Sequence, residues 1–158
     1  MASSPSPAGE TTSRAPPEWS VTYLLARVFY AIRSRSEEGL RPHNLTPMQF
    51  TILSGLQRWT GVSSAELSRR FEVTPQTMGE MIANLERRGL VTRRQDPRNR
   101  RALKLELTAE GQRVAKLSTE EIGRIERELV GSMSPETAEG LRRGLGELFD
   151  RLGLKIGL

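Results

Sequence analysis

Apolar residues recur every three or four positions through most of the chain, the spacing of amphipathic helices. Trp19, Tyr23, Leu24, Val28, Phe29 and Ile32 predict a first helix from Trp19 to about Glu37. The segment GLRPHNL then reads as a loop. It ends at a helix start signal: Thr46 as N-cap, Pro47 at the first helical position and Gln49 completing a capping box. The helix from Pro47 runs to about Trp59 through Phe50, Ile52, Leu53 and Leu56. Ser63 and Glu66 make a second capping box, opening a short helix through Leu67 to Phe71.

The next stretch, FEVTPQTMGEMIANLERRGLV, carries Thr74 as N-cap and Pro75 in the first turn, with Val73 placed to staple onto Met78. Met78, Met81, Ile82 and Leu85 form its buried stripe, and Gly89 stops it as a left-handed residue. Two short helices separated by EVT make a helix-turn-helix. Apolar residues then alternate at Leu103, Leu105 and Leu107, which predicts a hairpin turning near Asp96. Thr108 caps a long helix through Val114, Leu117, Ile122, Ile125 and Leu129. Gly131 breaks it, and a last helix starts from Ser134. The expected fold is mainly α with a small β-hairpin wing: a winged helix-turn-helix over about residues 46–108. Helices at about 18–38 and 108–158 are left to pair with another chain, so 18–158 reads as one domain.

Composition narrows the class. Residues 1–17 are rich in Ser, Pro, Ala and Thr without apolar periodicity, and are expected to form a disordered tail. They lack the apolar centre of a secretory signal, and no apolar run reaches the roughly 20 residues needed to span a bilayer. A cytoplasmic protein with no membrane association is expected. Cysteine is absent, which excludes disulfides and thiolate metal sites, and one His with scattered carboxylates gives no metal-ligand spacing. No cofactor motif, Walker-type loop or nucleophile–base set is present, so an enzyme is not expected.

The net charge is +5, but its location says more. Residues 1–59 balance at +2, residues 60–108 at +4 and residues 109–158 at −1. A basic middle between flanking helices fits one module that meets a polyanion. Within the hairpin, Arg93, Arg94, Arg98, Arg100, Arg101 and Lys104 crowd around Asp96. Such a tip can lie along the minor groove of double-stranded DNA, where negative potential attracts guanidinium groups. Arg98 is the candidate for insertion, with Arg94, Arg100 and Arg101 on phosphates or bracing the turn. Asp96 carries the wrong charge for DNA and is expected to shape the wing by pairing with Arg100 or Arg101.

The second helix of a helix-turn-helix puts its N-terminal half into the major groove. Its residues outside the core stripe include Gln76, Thr77, Glu80, Asn84 and Arg87, with Thr74 at the cap. Gln76 can pair with adenine, Thr77 can meet a thymine methyl or a phosphate, and Glu80 can accept from cytosine N4. The bland alternative is an ordinary solvated face. Against it, small and amide-bearing residues stand where Glu/Lys pairs are usual.

The segments LTPMQFTILSGL and SSAELSRRFEVTPQTMGEMIANLERRGLVTRRQDPRNRRALKLELTAEG resemble the MarR family of bacterial transcriptional regulators. The similarity runs from about Trp19 to Leu152 and is most specific at Asp96, Arg98 and Arg101 of the wing, joined to LTAEG. It implies a homodimer on pseudo-palindromic operator DNA and an anionic or aromatic effector that releases it. Many members carry a basic residue where this chain has Glu80. Effectors in the family sit between the dimerisation helices and the DNA-binding lobe, which here points to Trp19, Tyr23, Arg27, His43 and Phe50. Dimerisation is also expected from the tail LGLKIGL, whose Leu152, Leu154, Ile156 and Leu158 need a partner. The leading expectation is a sequence-specific repressor. The alternative is an architectural protein that binds DNA with little specificity.

Overall fold

The structure, a computed structural model, describes residues 19–96 and 99–154, without the side chains of residues 96–102. The tail at 1–17, the wing-tip side chains and the residues after Leu154 therefore lie outside the described residues. The elements run α1 (Val21–Leu40), a 3-10 turn (Arg41–His43), α2 (Pro47–Arg58), α3 (Ser64–Arg70), α4 (Pro75–Arg87), β1 (Val91–Asp96), β2 (Asn99–Leu107), α5 (Ala109–Val130) and α6 (Pro135–Arg151). The chain divides into two units between Ile32 and Arg33, within α1. In the first unit Trp19 and Tyr23 meet edge to face at 5.3 Å, and Val28, Phe29 and Tyr30 are exposed.

In the second unit the capping residues act as their spacing predicts. Thr46, Ser63, Thr74, Thr108 and Ser134 each accept a hydrogen bond from the backbone N–H three residues on. The core gathers one stripe from each element: Ile52, Leu53 and Leu56 of α2, Leu67 of α3, Met78, Ile82 and Leu85 of α4, and Val114 and Ala115 of α5. Val73 packs against the same cluster as Met78, in keeping with the staple. β1 and β2 pair antiparallel from Val91 opposite Leu107 to Gln95 opposite Leu103, with an irregularity before Asp96. Leu105, buried on the inner face of the wing, also donates its N–H to the Val62 carbonyl at 2.8 Å. That bridge fastens the base of the wing to the α2–α3 connection.

Three local features differ from the sequence reading or were not seen in it. The loop expected from Gly39 begins later, because Gly39 and Leu40 stay helical. A Cβ on Gly39 would come within 2.8 Å of Ile125 Cδ1, so this glycine serves close packing on α5 rather than chain reversal. The left-handed residue is Asn44, with φ 53°. At the helix-turn-helix corner the left-handed residue is Glu72 (φ 53°), followed by a bond from the Val73 N–H to the Ser68 carbonyl. This is the closure usually given to glycine, and an L side chain there costs about 1–2 kcal/mol.

The third feature is the joint after α4. Gly89 takes φ 68° and turns the chain into β1. Thr108, at the far end of the wing, donates from Oγ1 to the Gly89 carbonyl (2.6 Å) and from its N–H to the Leu90 carbonyl (3.1 Å). Its Oγ1 also caps α5 through the Gly111 N–H. Gly111 lies so close to this joint that a Cβ would stand 1.9 Å from the Leu90 carbonyl oxygen. Gly111→Ala should therefore lower the free energy of unfolding by about 1–3 kcal/mol, the usual cost of overpacking, in equilibrium urea titrations. An unchanged midpoint would mean that the joint yields.

Candidate nucleic-acid interface

The candidate interface is built on a helix held from below. Met78, Ile82 and Leu85 are fully buried and Met81 half-buried, while Thr74, Pro75, Gln76, Thr77, Glu80 and Arg87 are exposed. A single apolar stripe thus leaves the other side of α4 free of packing duty. On that side Gln76 Nε2 donates to Glu80 Oε1 at 3.2 Å, an i, i+4 pair. Thr77 is tied to its cap, since its N–H donates to Thr74 Oγ1 at 3.1 Å and the two hydroxyls lie 2.8 Å apart.

Asn84 is placed differently from these. It is half-buried, and its Oδ1 accepts from Gln49 Nε2 of α2 at 3.1 Å. Arg88, just beyond the helix, is also half-buried and donates to the His43 carbonyl at 3.0 Å. His43 is thereby engaged through its backbone. No spacing signal marks either bond, because the partners are remote in sequence.

Several arginines near the wing have intramolecular partners. Arg93 pairs with Glu86 of α4 at 2.9 Å, and Arg94 pairs with Glu106 on the facing strand at 3.0 Å. Arg94 nevertheless remains 71% exposed, so its guanidinium is available to a second anion. The side chains of Asp96, Arg98, Arg100 and Arg101 lie outside the described residues.

A cleft of about 410 Å³ opens between α2 and α5. Phe50, Ser54, Trp59, Phe71 and Ile122 line it, with Arg58 and Glu126 among its polar residues. Gly55 makes room for the Trp59 ring to fold back on α2, since a Cβ would meet that ring at 2.5 Å. The Arg70 guanidinium lies over the Trp59 ring at 4.3 Å, and the Phe71 ring stands tilted at 43° to it, 6.0 Å away. Ser54 Oγ is buried without a hydrogen-bond partner. Of the five residues expected at an effector site, Phe50 lines this cleft, His43 sits on the 3-10 turn, and Trp19, Tyr23 and Arg27 belong to the first unit. Among the described residues no group of three or more His, Cys, Asp or Glu could hold a metal ion, and no helix is long and apolar enough to cross a membrane.

The profile of the MarR family matches residues 45–103. The HTH-type transcriptional repressor Rv2887 of Mycobacterium tuberculosis is 40% identical over 94 residues, which cover 60% of this chain and 68% of that protein. The HTH-type transcriptional repressor MdtR of Bacillus subtilis is 30% identical over 87 residues, covering 55% and 56%. Among solved structures, Rv2887 in complex with salicylic acid superposes with a TM-score of 0.66 at 30% identity, covering 85% of this chain and 99% of that one. The transcriptional repressor CouR bound to a 23-mer DNA duplex gives a TM-score of 0.74 at 25% identity, covering 81% and 91%.

The helix-turn-helix carries its own acid sensitivity at Glu66. The Ser63 backbone N–H donates to this carboxylate at 2.7 Å and the Ser63 hydroxyl at 2.9 Å, and Arg69 and Arg70 lie near. Led by the backbone bond, these hold the carboxyl below its ordinary 4.5 against the opposing effect of burial. A depressed carboxyl stabilises the fold fully above its unfolded pKa, and that contribution is lost as pH falls through the folded value. Glu66→Gln keeps an acceptor for the Ser63 N–H but does not titrate. The variant should lose less stability than the unaltered protein as pH falls below 4.5. Unfolding free energies measured across that range check this, and parallel curves would remove Glu66 as the source.

Proposed function

The chain belongs to the MarR family, and we propose that it acts as a dimeric transcriptional repressor that binds pseudo-palindromic operator DNA and lets go when a small aromatic acid binds. The observation that carries this reading is the exposed polar side of α4, where Gln76, Thr77, Glu80 and Arg87 stand clear of the core. The names of its relatives, HTH-type transcriptional repressors, and the DNA-bound state of CouR support it.

In this reading Gln76 is the principal base reader. Glu80 takes one of the two Nε2 hydrogens, which orients the amide so that the other hydrogen and Oε1 can meet adenine N7 and N6. Thr77 approaches a thymine methyl or a phosphate, Thr74 stands beside it at the cap, and Arg87 and Arg94 meet the backbone. Arg98 enters the minor groove, Arg100 and Arg101 add phosphate contacts, and Asp96 braces the turn. The protein works in the cytoplasm, where its DNA is, and carries out no catalytic step.

The regions at about 18–38 and 108–158 supply the dimer interface. Leu141, Leu145 and Leu148 of α6 and Leu152 at its C-cap are exposed along one stripe. A second copy offering the same surface would cover it. For release, the cleft between α2 and α5 offers aromatic walls and the Arg58 guanidinium, with the Glu126 carboxylate on α5. That chemistry suits a flat ring with a carboxylate. The salicylic acid in the Rv2887 complex is of this class.

Two measurements test the reading. Gln76→Ala should weaken binding to the preferred operator by about 1–3 kcal/mol and relax selection at one base position, while binding to random DNA barely changes. Equal losses on both DNAs would show that Gln76 reads nothing. Leu145→Glu with Leu148→Glu should give a monomer by analytical ultracentrifugation and abolish tight operator binding. A dimer with normal affinity would place the interface elsewhere.

A further inference from the structure

Gln49 performs two tasks with one amide. Its Oε1 accepts from the Thr46 N–H at 3.1 Å, closing the capping box of α2, and its Nε2 donates to Asn84 Oδ1 at 3.1 Å. Four residues on, Arg88 donates to the His43 carbonyl at 3.0 Å. Asn84 and Arg88 share one flank of α4, and Thr77 lies on the same line two turns toward the N-terminus. Both bonds run from that flank to the corner between α1 and α2. The apolar stripe fixes how deeply α4 sits. It resists rotation about the helix axis less well, since two of the four side chains in that stripe, Met78 and Met81, are flexible methionines. Two directional bonds on one side supply that restraint.

Resting on the DNA-binding reading above, we infer that Gln49 and Asn84 are a positioning pair that sets the rotation of the recognition helix. Asn84 acts on DNA through Gln49 and not by touching a base or a phosphate. With side chains reaching about 5–6 Å from the helix axis, a turn of about 10° moves a reading atom by about 1 Å. That displacement exceeds the tolerance of roughly 0.5 Å at which a preorganised contact holds. Sequence preference, more than overall affinity, depends on the pair.

The chemistry of the two amides gives a test that spares the fold. In Asn84→Asp the carboxylate still accepts from Gln49 Nε2. In Gln49→Glu the capping box survives, and Asn84 can turn its amide to donate to the new carboxylate. In the double variant two acceptors face each other and the bond is lost. Sequences selected from a random pool by the unaltered protein provide the operator, and that selection tests the DNA-binding reading separately. The ratio of operator to random-sequence affinity should stay within about twofold in each single variant and fall roughly tenfold or more in the double. Added negative charge weakens both DNAs together and cancels in the ratio. In an Asn84→Ala background, Gln49→Glu should change the ratio no further. The inference is overturned if Asn84→Asp alone collapses the ratio, which would make Asn84 a direct reader. It is equally overturned if the double variant shows only the product of the single effects, or if Gln49→Glu still lowers the ratio in the Asn84→Ala background.

Discussion

A helix of 13 residues is marginal in water, so α4 exists because the rest of the domain receives one side of it. Met78, Ile82 and Leu85 are sunk completely among Ile52, Leu53, Leu67 and Leu105. Burial of each such side chain contributes about 1.5–3 kcal/mol. α2, α3, the wing and α5 all meet at this cluster, and each is braced by the same contact that holds the reading helix. The residues on the other side of α4 are released from structural duty. Polar and small side chains can accumulate there without weakening the fold.

The helices and their starts were legible because their causes are local. Thr46, Ser63, Thr74, Thr108 and Ser134 sit three residues before the N–H groups they cap, and the apolar periods lie within each segment. The hairpin and the exposed side of α4 were legible for the same reason, and Val73 packs on the cluster that holds Met78. What escaped depends on partners far along the chain. Gly39 reads as a stop signal until Ile125 is seen beside it. Gly111 is dictated by a carbonyl at Leu90. Asn84 looks like one more surface amide, and its partner Gln49 lies 35 residues earlier. Glu72 shows that a left-handed corner can form without the glycine that would announce it.

Charge was legible as a total but not as a division of labour. Arg70 covers Trp59, Arg88 holds the His43 carbonyl, Arg93 joins the wing to α4 through Glu86, and Arg94 shares Glu106 across the hairpin. Part of the positive excess of the middle segment is therefore engaged inside the fold. A count of basic residues overstates the charge available to DNA. The same arginines stiffen the platform from which the remaining ones act, because a planar fork fixes direction as well as distance.

The joint at Gly89, Leu90, Thr108 and Gly111 clamps the near end of α5, while Val114 and Ala115 in the core and Ile125 against Gly39 hold it further along. Its 22 residues extend about 33 Å from that clamp. Two carbonyls, one hydroxyl and a glycine with no room for a methyl group hold the near end against the wing and the end of α4. A tilt of about 3° at the clamp displaces the far end of such a rod by less than about 2 Å, roughly the shift seen when helices slide at an interface. A shift of that size at the far end would be taken up jointly by this clamp and by the packing of Ile125 on Gly39.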